Sequence, residues 1–184
     1  MREWAEKFGR AYANTIRRRI PRLGDKWHLD EAVVTINGER HFLWRAVDQD
    51  GFVLEVLVQK RRDTRAARRF IRKLLSGLGA VPRVMVTDKL GSYGAANRKI
   101  GLTLCDHRQH KGLNNRAENS HQSTRRRERG GMKRFKSARH VHRFASIHDP
   151  IYNLYYFPRN KFNAADHRLL RQAANTVWHD IAGL

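Results

Sequence analysis

The sequence predicts an α/β domain built on a mixed five-stranded sheet that is flanked by helices. Apolar, β-branched runs separated by turn residues between Lys26 and Gln59 predict three successive strands. An amphipathic helical pattern begins at Asp63, and a further short apolar run occupies residues 82–88. A strand, a helix and a strand in this order imply a parallel pairing with a right-handed crossover, so the sheet should contain both parallel and antiparallel neighbours.

The first element along the chain is a predicted helix over residues 1–19. Apolar side chains recur every four residues and mark one helical face, namely Trp4, Phe8, Tyr12 and Ile16. Pro21 and Gly24 then break the pattern, because both residues favour turns and linkers. We therefore place a domain boundary at residue 25.

Residues 27–36, 40–47 and 52–59 predict the first three strands as an antiparallel meander. Asn37-Gly38 separates the first two strands, and both residues tolerate the positive φ of a type I′ turn. A second turn near residues 48–51 joins the next pair. The Asn37-Gly38 pair between two apolar runs is the strongest kind of short hairpin signal.

The remaining elements complete an alternating pattern. The helix after Asp63 has an apolar face made of Ala67, Phe70, Ile71 and Leu74. A strand at 82–88, a short helix at 92–97, a weak strand at 102–105 and a long helix from about Arg116 follow. The order βββαβαβα is the ribonuclease-H-like pattern, in which acidic residues on the first strand, after the fourth strand and on a late helix meet at one edge of the sheet.

The C-terminal part predicts two further helices. Residues 137–156 predict a helix that is interrupted at Pro150, because proline has no amide hydrogen to donate. Residues 164–181 predict an amphipathic terminal helix. The chain is thus divided into three parts: an N-terminal helix and linker at 1–25, a catalytic-type α/β domain at 26–150 and a helical tail at 151–184.

The composition points to a polyanionic partner. The chain has 38 Lys and Arg against 17 Asp and Glu, which gives a formal net charge of +21. Such a charge attracts nucleic acid by counterion release, while the 40% apolar content argues against a mere coating protein. The single Cys105 excludes an intramolecular disulfide, and no apolar run approaches the ~20 residues that span a bilayer. We expect a soluble cytoplasmic protein.

Three carboxylates occupy positions that suit phosphoryl transfer. Asp30 and Asp88 lie on or just after apolar strands, and Glu118 opens a polar helical segment. Cleavage of a phosphodiester is assisted by two Mg2+ ions ~3.5–4 Å apart, and such hard cations need oxygen ligands. Taken singly, each acid has a structural explanation as a strand end, a turn residue or a first-turn helix residue. Their combination favours a metal site.

The residues after Glu118 fit the same interpretation. His121 and Arg125 lie three and seven positions further on and share its helical face. His121 is a candidate for contact with a scissile phosphate, and Arg125 is a candidate for a grip on the nucleic-acid backbone. The alternative for Arg125 is a solvated polar face, because the surrounding segment is rich in arginine.

Seven motifs give the chain a resemblance to a known family. They are Trp27-His-Leu-Asp-Glu, Leu43-Trp-Arg-Ala-Val-Asp48, Arg62-Asp63, Val86-Thr-Asp-Lys89 with Tyr93, Asn114-Asn-Arg-Ala-Glu-Asn-Ser-His121, Arg125-Arg-Arg-Glu-Arg and Arg134-Phe-Lys-Ser137. The resemblance that they carry covers most of the chain. The sequence resembles the DDE transposases of bacterial insertion sequences, in the group typified by insertion sequence six, which have an integrase-like or ribonuclease-H-like core.

The resemblance implies an activity and a set of site residues. Asp30, Asp88 and Glu118 would be the catalytic triad and the ligands of two Mg2+ ions, with Mn2+ as a substitute. The implied reaction is 3′-end cleavage of DNA followed by strand transfer during transposition. The implied DNA-contacting residues are Lys89, Asn115, Arg116, His121, Arg125, Arg126 and Lys136. The implied partners are double-stranded transposon ends and target DNA at the bacterial nucleoid, bound by a homodimer or a higher oligomer.

Two departures from the family pattern keep alternatives open. Residues 1–25 resemble only the final part of a helix-turn-helix DNA-binding module, so we expect the chain to be N-terminally truncated. In addition, Glu118 follows Asp88 by 30 positions, which is a short interval for such transposases. The alternatives are therefore a catalytically inactive or inhibitory DNA-binding remnant, and a ribonuclease-H-like nuclease without strand transfer.

Overall fold

A five-stranded sheet with the order β3-β2-β1-β4-β5 forms the centre of the protein. The computed structural model describes residues 7–19, 24–88, 90–110, 112, 114–130, 135–158 and 160–183, with the backbone alone for residues 123 and 127–130. The strands are β1 (Lys26–Ile36), β2 (Glu39–Asp48), β3 (Val53–Gln59), β4 (Val84–Thr87) and β5 (Asp106–Gln109).

The helices surround this sheet or belong to a separate unit. They are α1 (Gly9–Arg19), α2 (Thr64–Leu78), α3 (Gly91–Ile100), α4 (Asn115–Gly130), α5 (Ala138–Tyr155) and α6 (Ala164–Ala182). The described parts of residues 1–22 and 144–184 form one compact unit, and those of residues 23–143 form the other. The functional division at residues 25 and 150 stays a prediction.

The pairing of the strands confirms the predicted mixed sheet. β1 pairs antiparallel with β2, which pairs antiparallel with β3, whereas β1 and β4 and then β4 and β5 pair in parallel. The turn between β1 and β2 has positive φ angles at both central residues, 50° at Asn37 and 80° at Gly38. The Asn-Gly signal therefore gives the hairpin that the sequence predicts.

The turn from β2 to β3 is organised by the buried carboxylate of Asp48. Its Oδ1 accepts hydrogen bonds from the amides of Asp50, Gly51 and Phe52 at 2.9, 2.9 and 3.0 Å. Its Oδ2 accepts from the amide of Gly24 at 3.2 Å. One side chain thus fixes both the β2–β3 turn and the segment that leads into β1, because it satisfies backbone donors that neither strand pairs.

The hydrophobic core lies between one face of the sheet and helices α2 and α3. Asp63 caps α2, since its Oδ1 accepts from the amide of Ala66 at 2.8 Å. The apolar face of α2 is fully buried, and Phe70 lies against Trp44 of β2 with ring centroids 6.1 Å apart. The core residues include Trp27, Leu29, Trp44, Ala67, Phe70, Ile71, Leu74, Met85 and Tyr93.

The fifth strand lies at Asp106–Gln109, so the strand predicted at residues 102–105 is wrong: the observed strand begins directly after it. Leu104, which made that prediction attractive, is 92% exposed. β5 is an edge strand whose residues are mostly exposed, and it is held by backbone pairing to β4. A strand of this kind needs no apolar pattern, because the hydrogen bonds of the ladder and not side-chain burial place it.

The predicted interruption of a helix at Pro150 is also wrong, because α5 runs from Ala138 to Tyr155 with Pro150 inside it. Proline at this position cannot donate to the carbonyl of Ser146, four residues earlier. That carbonyl instead accepts a hydrogen bond from Nη2 of Arg17 on α1 at 3.1 Å. The replacement donor satisfies the acceptor that proline leaves, so the helix continues.

Helices α1 and α6 pack together within the first unit. Tyr12 and Trp178 meet edge to face with ring centroids 5.9 Å apart, and the Tyr12 hydroxyl donates to the carbonyl of Ala182 at 3.4 Å. Arg19 forms an ion pair with Asp180 at 2.5 Å. In the part of the chain that the structure describes, no helix has the length and apolar character that a membrane span requires.

Candidate functional site

Asp30, within β1, and Asp88, directly after β4, lie side by side where the parallel pairing of the two strands ends. The last paired residues of β1 and β4 are Leu29 and Thr87, and each aspartate directly follows one of them. Because the two strands run in parallel and Leu29 lies beside Thr87, the residues that follow them are neighbours, and this register brings the two carboxylates together. The structure therefore joins two of the three predicted acids.

The electrostatics of Asp30 reflect that neighbourhood. Burial first, and then the charge of Asp88, raises its pKa from 3.8 to about 6. The positive charges of Arg62 and Arg125 oppose the rise. A buried carboxylate next to a second carboxylate favours a cation, and two aspartate side chains supply the hard oxygen donors that Mg2+ or Mn2+ prefers. The donor set fits a divalent metal.

Helix α4 is tied to the sheet beside Asp30 through a buried asparagine. The side-chain amide of Asn114 donates to the carbonyl of Leu29 at 2.8 Å. The carbonyl of Asn114 in turn accepts from the amide of Glu118 at 3.2 Å as the helix begins. One residue therefore fixes the start of α4 to the strand position immediately before Asp30.

A second tie between α4 and the sheet comes from Arg45, whose side chain is fully buried. Arg45 pairs with Asp30 in the β1–β2 register. Its Nη1 donates to the carbonyl of Ser120 at 3.0 Å, and its Nη2 donates to Oγ1 of Thr124 at 2.8 Å. Arg45 thus holds the middle of α4 on the sheet. Arg45 lies in the Leu43–Asp48 motif, but no local signal in the sequence predicts this role.

His121 lies on the face of α4 that meets Asp30. His121 is buried, and its Nε2 lies 3.4 Å from Oδ2 of Asp30. Glu118 lies one turn earlier on the helix and is exposed. Among the residues described, no three His, Cys, Asp or Glu side chains form a group that holds a metal ion. The structure therefore places His121 beside the aspartate pair, whereas Glu118 lies one helical turn before His121 on α4.

A further hydrogen-bond network links Asp88 to Arg62, Glu31 and Tyr93. The guanidinium of Arg62 donates through Nε to Oε1 of Glu31 and through Nη2 to Oδ2 of Asp88, the latter at 3.1 Å. The Tyr93 hydroxyl donates to Oε2 of Glu31 at 2.7 Å. Burial raises the pKa of Glu31, while the Tyr93 hydroxyl and the charge of Arg62 oppose that rise. The amide of Leu90 donates to Oδ1 of Asp88 at 3.0 Å.

The remaining predicted contact residues are placed on exposed surface. Of the residues predicted to contact DNA, those with exposed side chains are Asn115, Arg116, Arg125, Arg126 and Lys136. Arg125 acts on Asp30 through its charge, and the backbone carbonyl of Lys136 accepts from the side chain of Asn37 at 2.8 Å. Lys89 lies outside the residues that the structure describes.

Comparisons with known proteins agree with this geometry. A family model described as a DDE domain matches residues 24–156. The transposase for the insertion sequence-like element IS431mec of Staphylococcus aureus is 35% identical over 75 residues, which cover 41% of this chain and 33% of that protein. The chain thus aligns with about a third of the length of the curated relatives it first matches.

Two solved structures share the fold. The HTLV-2 integrase catalytic core domain, determined in complex with magnesium, is 17% identical with a TM-score of 0.51, and the match covers 78% of this chain and 92% of that one. The catalytic core domain of BIV integrase is 12% identical with a TM-score of 0.50 and covers 84% of this chain and 99% of that one. The predicted ribonuclease-H-like sheet is therefore confirmed.

Proposed function

The chain belongs to the DDE-domain transposases of the insertion-sequence-six type, with an integrase-like core, and from this premise we propose that it catalyses metal-dependent 3′-end cleavage and strand transfer of DNA. Its substrates on this proposal are the double-stranded ends of an insertion sequence and a target duplex at the bacterial nucleoid. The observation that carries the proposal is the pairing of Asp30, within β1, with Asp88, directly after β4, and the position of His121 beside Asp30.

Asp30 and Asp88 would hold the divalent cations, and Glu118 on α4 would complete the set. When bound, Mg2+ or Mn2+ activates a water or a 3′-hydroxyl as the nucleophile and stabilises the leaving oxygen, and two ions do both. Support for this assignment comes from the raised pKa of Asp30, because burial and the charge of Asp88 both disfavour its ionised form and a bound cation would offset both effects. The homologous core structure solved with magnesium supports the choice of metal.

The protein's own groups would position the DNA around that pair. His121 contacts Asp30 from α4, so it would fix the orientation of that carboxylate and face the scissile phosphate. The exposed arginines Arg116, Arg125 and Arg126 on the same helix would bind phosphates of the backbone by charge. Asn115, Lys136 and Lys89 complete the proposed contact surface. Strand transfer joins two DNA ends, so we also propose a homodimer or a higher oligomer on DNA.

A non-catalytic DNA-binding role is the second candidate. The exposed position of Glu118, one turn from His121, favours it, because two carboxylates without the third would bind metal weakly. In this second candidate function, residues 1–25 belong to a DNA-binding module, and residues 26–150 and 151–184 are a core and a tail that bind DNA without cutting it.

A cleavage and joining assay on labelled transposon-end DNA tests the proposal. The wild-type chain is compared in Mg2+ and in Mn2+ with Asp88→Asn and Glu118→Gln, and with Asp106→Asn as a matched control on the exposed edge strand. We expect both site variants to fall to background and the control to keep wild-type activity.

Each other result points to a different function. Cleavage without joining would support a nuclease, and DNA binding without cleavage would support the non-catalytic role. Cleavage that survives both site substitutions would refute the assignment of the acids.

A further inference from the structure

The guanidinium of Arg62 joins two carboxylates that differ in exposure. The side chain of Glu31 is 0% exposed, whereas that of Asp88 is 23% exposed. Arg62 itself is 42% exposed and holds Glu31 through Nε and Asp88 through Nη2. The guanidinium therefore makes an inner contact, from Nε to the buried Glu31, and an outer contact, from Nη2 to the partly exposed Asp88.

The inner contact is the stronger anchor. Both oxygens of Glu31 have donors, from Arg62 and from the Tyr93 hydroxyl. A fully buried carboxylate that loses its cation is left uncompensated, so this contact persists. The outer contact to Asp88 joins partly exposed groups, and water and salt screen such pairs until little net stabilisation remains. The Nη2 end of the guanidinium is thus the end that can leave.

The oxygens of Asp88 are also unequal. Oδ1 accepts from the amide of Leu90 and so shapes the turn into α3. Oδ2 accepts from Nη2 of Arg62 at 3.1 Å. A cation that binds Asp88 without disturbing the turn has to use Oδ2, which is the oxygen that Arg62 holds.

We propose that Arg62 is a built-in counter-cation of the carboxylate site: it holds Oδ2 of Asp88 until a divalent cation binds there, then withdraws Nη2 while Glu31 retains its Nε. The inference rests on the proposed function and deepens it, because it names the residue with which the metal competes. Arg62 keeps Asp30 and Asp88 from standing as an uncompensated pair. It consequently lowers the affinity of the site for metal.

The size of this effect follows from the charges. The repulsion between a guanidinium and a divalent ion ~6 Å apart weakens metal binding by about tenfold in the dissociation constant, even at the dielectric constant of bulk water. Removal of the guanidinium charge should therefore tighten metal binding by about tenfold. A residue that merely supported the fold would give weaker binding or no change when replaced.

Direct Mn2+ binding to the full chain, followed by the electron paramagnetic resonance signal of the free ion, tests the inference without any turnover. The variants are Arg62→Gln and, as a matched control, Arg61→Gln, which removes the same charge from the exposed neighbouring position. We expect Arg62→Gln to bind Mn2+ about tenfold more tightly than the wild type. Arg61→Gln should bind it nearly as the wild type does. Equal or weaker binding by Arg62→Gln than by Arg61→Gln would overturn the inference.

Two further variants keep the outcomes distinct. Arg62→Lys, compared with Arg61→Lys, serves if Arg62→Gln fails to fold. An ammonium retained by Glu31 leaves Oδ2 of Asp88 open and should tighten binding, but by less than Arg62→Gln does, because the positive charge remains nearby. Asp88→Asn reports on the site itself. Binding that Asp88→Asn leaves unchanged contradicts the proposed metal site and the inference with it, whereas Asp88-dependent binding that ignores Arg62 contradicts the inference alone.

Discussion

Replacement of Asp30 by asparagine should stabilise the fold at neutral pH. The carboxylate of Asp30 is ionised in a place where burial and the charge of Asp88 both disfavour ionisation, and its pKa accordingly rises from 3.8 to about 6. Asparagine has nearly the same shape and no charge. The substitution therefore removes an electrostatic cost that the native sequence retains at the proposed metal site.

The size and the pH range of the effect follow from the same values. A rise in pKa from 3.8 to about 6 corresponds to roughly 3 kcal/mol, at ~1.36 kcal/mol for each tenfold change. Because the folded chain holds this proton more tightly than the unfolded chain, the free energy of unfolding falls as the pH rises from about 4 to about 6. Above that range the full cost is present, so the gain from Asp30→Asn should reach its maximum there.

Urea denaturation between pH 4 and pH 8, with divalent ions removed by a chelator, measures this difference. We expect Asp30→Asn and the wild type to be equally stable near pH 4, and the variant to be more stable by up to about 3 kcal/mol near pH 7. The exposed Asp106→Asn serves as the control and should show no such rise. A variant no more stable than the wild type at pH 7, or a difference that is constant across the range, would refute the reasoning.

Two substitutions test how the helices are positioned. Asp63→Ala removes the side-chain acceptor at the start of α2 and should lower the free energy of unfolding by about 1 kcal/mol, whereas Asp63→Asn should retain most of it; equal losses in urea denaturation would contradict the cap. Arg45→Met leaves two acceptors on α4 without their donor and should cost about 1–3 kcal/mol. Thr124→Val removes one acceptor and should cost less, and the opposite ranking would argue against the tie.

Local signals in the sequence predicted most of the fold. The positive φ at Asn37 and Gly38 depends on those two residues alone, so the hairpin could be predicted from them. The apolar face of α2 and the cap at Asp63 are likewise properties of one short segment. The pairing of Asp30 with Asp88 needed only the order of the elements, because parallel strands carry such residues to one edge.

Features that depend on distant partners could not be predicted in the same way. Glu31 lies two residues after Leu29 and shares its core-facing side of β1, so alternation signalled a buried carboxylate but could not identify Arg62 and Tyr93 as its partners. The edge strand β5 is set by its neighbour β4. Pro150 is accommodated by Arg17, which lies more than a hundred residues away along the chain.

The packing of α1 on α6 determines when this contact can form during synthesis. Tyr12 and Ala182, which share a hydrogen bond, are separated by 170 positions in the chain. At about 5–20 residues per second, a ribosome needs roughly ten to thirty seconds to add the second partner after the first. The sheet, whose five strands lie between these positions, can assemble within that interval. The contact between α1 and α6 therefore forms only after all five strands have been synthesised.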